Sequence, residues 1–161
     1  MNPNNNSSPV NPSGPKIPPQ NLEAEVGLLG SILIEDDVLT DIADKINAND
    51  FYDKRHGTIY QAMLRLYEQH KPVDLLTLSS ALKDSNELED VGGSSYLTEL
   101  TNAVPTAAHA AEYGDLVAEK ALRRRLIKAS EDIVTLSYGD NVSTVQEILE
   151  EAEKRLFTVS Q

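Results

Sequence analysis

An all-α fold, a compact globular head of short helices followed by a two-helix antiparallel hairpin, is what three features of this sequence predict. Apolar residues recur at spacings of three and four through most of the chain, the pattern of a helix face turned to a core. Aromatic residues make up 5% and Trp is absent while Leu and Ala abound, a balance that favours helices over a β-sandwich. The last third carries a helical pattern of about thirty residues without proline, then a short turn and a second periodic stretch, and two helices joined in that way fold back on each other. With 161 residues the chain is long enough to bury about two-thirds of its unfolded surface. No disulfide or metal staple is required.

The elements follow in order. MNPNNNSSPVNPSGPK is Asn, Pro and Ser without an apolar run, too polar to offset its ordering entropy, so residues 1–18 read as a disordered N-terminal tail. Asn21 before Glu23 and Glu25 suits the positive end of a helix dipole. The helix that starts there has apolar residues round most of its circumference, Leu22, Ala24, Val26, Leu28, Leu29, Ile32 and Leu33, which predicts a place at the centre of the core. Residues 36–46 repeat the pattern with Val38, Leu39, Ile42, Ala43 and Ile46, and NANDFYDKRH breaks it. A longer helix is expected from 54 to 70, stopped ahead of Pro72 because the residue before a proline disfavours the α region. Asp74 then caps LLTLSSALK.

Gly92-Gly93-Ser94-Ser95 admits two readings, a phosphate cradle or a helix start. A phosphate loop needs the lysine and hydroxyl of G-x-x-x-x-G-K-[ST], or a G-x-G-x-x-G after a strand, and this stretch has neither. The helix start is preferred, with Ser94 as its cap and Tyr96, Leu97 and Leu100 on its inner face. In the hairpin, Tyr113, Leu116, Val117, Ala121, Ile127 and Val134 make one stripe, and Gly139 is placed to end the helix. Ser143 to Gln146 has the capping-box pattern, and Val145, Ile148, Leu149, Ala152, Leu156 and Val159 make the second stripe. The chain thus divides into the tail at 1–18, the helical head at 19–104 and the hairpin at 105–161. The stripes exceed what two helices hide from water, so the hairpin is expected to meet a partner through Ile148 and its neighbours.

Composition narrows function. Without cysteine there is no thiolate metal site and no cysteine nucleophile, and a cytoplasmic location fits. No apolar run approaches the roughly 18 to 20 residues of a membrane span. A net charge of −12 opposes direct nucleic-acid binding, which rests on neutralising phosphates. His56, His70 and His109 lack metal-ligand spacing and read as surface or helix-end residues. The serines include no G-x-S-x-G elbow, and scattered acids form a solvated face, so no catalytic residue, cofactor site or metal site is assigned. Lys120, Arg123, Arg124, Arg125 and Lys128 stand opposite Glu147, Glu150, Glu151 and Glu153 in the hairpin. They read equally as pairs between its two helices or as charges that orient a partner.

In order along the chain, PPQNLEAEVGLLGSIL, DFYDKRHGTIYQAM, KPVDLLTLSSALK, LEDVGGSSYLTEL, VPTAAHAAEYGDLVAEKALRRRLI and ILEEAEKRLF resemble the N-terminal domain of bacterial replicative DNA helicases of the DnaB family, over about residues 17–158. The resemblance implies a head-plus-hairpin collar domain without catalysis of its own, one that assembles as a dimer or as a trimer of dimers within a hexamer. It further implies docking of primase and, in some bacteria, of a helicase loader. ATP and Mg would belong to a C-terminal ATPase domain of the 5′-3′ translocating helicase. Gly114 and the run Arg123 to Arg125 depart from the family pattern. The alternatives are the helicase-binding C-terminal domain of primase, disfavoured by the tail that begins at Met1, and a small stand-alone enzyme built on scattered acids. Since Tyr and Arg most often carry interface energy, Tyr96, Tyr113, Arg124 and Glu151 are the candidate contacts with primase. For the two tyrosines, the competing reading is core packing.

Overall fold

The computed structural model describes residues 16–139 and 143–161, all of it helix, turn or irregular chain. Most of the expected tail, residues 1–15, and residues 140–142 of the hairpin turn lie outside the described residues. Helix α1 spans Leu22–Ile34 and starts where Asn21 Oδ1 accepts the Ala24 N–H at 2.9 Å. Ala24, Leu28, Leu29 and Ile32 are buried to 2% exposure or less, and the helices at 38–42, 54–68 and 93–102 and the start of the hairpin pack on α1, while the helix at 75–84 packs on those at 54–68 and 93–102.

Around it stand α2 (Val38–Ile42), α3 (Lys54–Glu68), α4 (Leu75–Asp84) and α5 (Gly93–Asn102). Helix α2 is shorter than the apolar pattern over 36–46 predicts. The Ile46 carbonyl accepts the Tyr60 hydroxyl at 2.9 Å and the Asn47 N–H bonds the Asp50 carboxylate at 2.8 Å, so the chain turns into a 3₁₀ segment, Ala48–Asp50. Asp53 caps α3 through the Arg55 N–H, and Asp74 and Thr77 cap α4 reciprocally. The cap of α5 is Gly92 rather than Ser94: Gly92 and Gly93 have φ of 105° and 71°, the left-handed region that favours glycine. Their N–H groups return to the Glu89 and Leu88 carbonyls at 3.1 and 2.8 Å, so they face their own chain and cradle nothing. Where α1 crosses α5, a Cβ on Gly30 would collide with the Leu100 carbonyl, so glycine sets that close approach.

The hairpin consists of α6 (Ala110–Tyr138) and α7 (Val145–Val159). Helix α6 runs unbroken through Gly114, which is buried against Ile46 and Ile42, and this close packing accounts for a residue that costs about 1 kcal/mol in an open helix. Gly139 ends α6 in extended rather than left-handed backbone, φ −66°. The capping box of α7 lies one residue later than the sequence pattern suggests: Thr144 pairs with Glu147, whose carboxylate reaches the Thr144 N–H.

Burial holds the Tyr60 phenol well above its usual pKa. A neutral phenol favoured by the fold contributes stability that is whole below the unfolded value near 10 and is lost as pH rises above it. Unfolding free energy, followed by circular dichroism in urea, is expected to fall from about pH 10 upward. In Tyr60→Phe the fall should be shallower, from a start about 1 kcal/mol lower because the hydrogen bond to Ile46 is gone.

Candidate interaction surface

The described residues include no grouping of three or more His, Asp or Glu side chains suited to a metal. An extended polar constellation inside the head is built on Glu25. This side chain is 2% exposed, and its Oε2 accepts the Tyr52 N–H at 2.8 Å while Oε1 accepts the Asp53 N–H at 3.2 Å and His56 Nδ1 at 2.8 Å. The other ring nitrogen, Nε2, lies within hydrogen-bond distance of the Tyr96 hydroxyl. Of the surface or helix-end readings, His56 meets the second, in the first turn of α3, and departs from the first, being 1% exposed. Arg55 lies over the Tyr96 ring at 4.4 Å and holds the Asp53 carboxyl below the usual carboxylate range. Three helices and the 51–53 backbone are thereby tied at one point. Burial pushes the Tyr96 phenol up, so the hydroxyl stays a neutral member of the chain.

The hairpin shows the opposite character. Beyond Ala121, α6 has one further buried residue, Ala129, and α7 has none. Leu122, Leu126, Ile127 and Val134 on α6 and Val145, Leu149, Leu156 and Phe157 on α7 stay 44–74% exposed. A helix pair with that much apolar surface in water is what an interaction face looks like. Ile148 is half-buried and Leu149 exposed, so adjacent positions face different ways.

The other predicted contacts are scattered. Tyr96 is half-buried in the head, and Tyr113 is half-buried over Gly27 on α1. Arg124 directs its guanidinium into its own chain, donating to the Pro19 carbonyl at 2.7 Å and the Asp50 carbonyl at 2.6 Å. Glu151 accepts from Arg155 within α7. Among the described residues no ion pair joins the basic run to the glutamates of α7: Arg123 bonds Glu119, Lys128 bonds Asp132 and Arg125 bonds Asp50. The ion pair that crosses the hairpin among the described residues is Arg155 with Asp132, at 2.9 Å.

Residues 17–119 match the family described as DnaB-like helicase N terminal domain. The chain belongs to that family. It is 42% identical over 146 residues to the replicative DNA helicase DnaC of Bacillus subtilis and 39% identical over 146 residues to DnaB of Geobacillus stearothermophilus, covering 91% of this chain. It spans about a third, 32%, of the length of those relatives. The crystal structure of the N-terminal domain of DnaB helicase from Mycobacterium tuberculosis superposes with a TM-score of 0.84 at 37% identity, over 88% of this chain and 99% of that one. A DnaB-like replicative helicase, solved to show its interactions with primase, matches at TM-score 0.73 and 26% identity, over 87% of this chain and 31% of that one. The head-plus-hairpin architecture is therefore that of the DnaB N-terminal domain, and the primase alternative gives way to the helicase.

Proposed function

We propose that this chain is the non-catalytic collar domain of a hexameric replicative DNA helicase, assembling subunits as dimers or a trimer of dimers and docking primase in the cytoplasm. The observation that carries this reading is the hairpin, whose apolar residues stay uncovered on a domain of the DnaB family. ATP and Mg would serve a C-terminal motor domain of the longer protein, and a loader would be a further partner. At a net charge of −12 the chain itself would bind little nucleic acid. Leu149 and Glu151 belong to the assembling face in this reading, with half-buried Ile148 holding the hairpin beneath it, Tyr96 and Tyr113 belong to the primase surface, and Arg124 acts through the placement of the hairpin.

The test is binding. A helicase-binding domain of primase, titrated calorimetrically into the chain, is expected to bind in the micromolar range, about −8 kcal/mol. Arg55→Ala together with Tyr96→Phe should weaken it if the head carries the contact. No heat from a primase domain shown to be folded would overturn the docking half of the proposal.

A further inference from the structure

We propose that Arg124 and Arg125 form a latch that sets the angle at which the hairpin leaves the head. Apolar packing accounts for the first three turns of α6: Ala110, Gly114, Val117 and Ala121 are buried against the head. One turn later that contact ends, and the next buried residue, Ala129, lies where α6 and α7 face each other. A long helix fixed at one end only would swing, and the residues at the point of departure are the two arginines.

Their partners come from two separate places in the head. Arg124 Nη1 reaches the Pro19 carbonyl, in the segment that leads into α1, and Nη2 reaches the Asp50 carbonyl in the 3₁₀ turn, the Tyr52 ring lying 5.6 Å from the guanidinium carbon. Arg125 Nη1 meets Asp50 Oδ1 at 2.7 Å. Asp50 is 5% exposed, and its other carboxylate oxygen is held by the Asn47 N–H, so the acceptor does not move. A planar guanidinium bonds two acceptors at fixed angles, whereas an ammonium is a point charge without that geometry. The acceptors are rigid on one side and the fork is rigid on the other, so the joint has one preferred setting. The latch lies within a single chain and does not depend on the assembly reading.

The chain has no cysteine, so Gln61→Cys on α3 and Ser137→Cys near the end of α6, both exposed, can carry a pair of spin labels. Distances are read by pulsed electron resonance with labelled chain diluted in excess unlabelled chain, which leaves intramolecular pairs alone. One narrow distribution is expected for the parent. Arg124→Ala with Arg125→Ala should broaden and shift it while helicity is retained, and Arg124→Lys, which keeps the charge and loses the fork, should broaden it too. Should the double variant lose helicity, Arg124→Lys decides. An unchanged distribution in whichever variant is folded and informative overturns the latch.

Discussion

Replacing Glu25 with Ala is expected to cost about 3–5 kcal/mol, because three donors lose their acceptor at about 1–3 kcal/mol for each one left unsatisfied. The carboxylate, 2% exposed, is the acceptor for two backbone N–H groups and for His56. Its removal leaves three donors without their acceptor at the junction of α1 and α3, one buried on His56 and two part-buried on the Tyr52 and Asp53 backbone. Since domains of this kind are stable by about 5–15 kcal/mol in all, such a loss brings the head close to unfolding. Tyr96→Phe is the comparison. It removes one hydroxyl at the half-exposed end of the same chain of bonds and should cost about 1 kcal/mol. Urea midpoints at an unchanged m value give both numbers. If Glu25→Ala shifted the midpoint no more than Tyr96→Phe does, the cluster would be a bystander to a head held by apolar packing.

That cluster shows where sequence reading stops. Helix positions and the caps at Asn21 and Asp74 are local matters, decided by residues within one turn, and they stand close to where the pattern puts them. Glu25, His56 and Tyr96 are 31 and 40 residues apart in successive pairs, and no periodicity links them. One sign was present. Glu25 precedes Leu28, Leu29 and Ile32 at helical spacing, so it stands on the face that the apolar pattern buries, and a buried carboxylate requires a partner. Its place in the first turn also suits the helix dipole, and that local account is sufficient without a partner. Arg124 poses the same difficulty in reverse. An arginine in a run of three on a helix gives no sign that its acceptors are the carbonyls of residues 105 and 74 positions away. The exposed stripe of the hairpin was legible, because an apolar surplus is additive along a helix; its occupant is a matter of the second surface.

Leu149→Asp is expected to abolish self-association at concentrations where the parent associates, while the hairpin stays helical. The parent's sedimentation mass should rise above 17.7 kDa as concentration increases. Leu149 is 52% exposed and Phe157 66%, both on α7, which has no buried residue to anchor a core of its own. A closed twofold contact uses the same patch from both copies, so one substitution acts twice. Fully burying a leucine contributes about 2 kcal/mol, and with half of Leu149 still exposed the pair loses about 2 kcal/mol of apolar burial, roughly a 30-fold weaker Kd, to which the desolvation of two carboxylates adds. Ile148→Asp separates this from simple unfolding: its side chain is half-buried, so a charge there should loosen the hairpin and lower helicity, a change that Leu149→Asp leaves absent. A parent that stays at monomer mass at every concentration, or a Leu149→Asp variant that associates as the parent does, would move the assembling face away from α7.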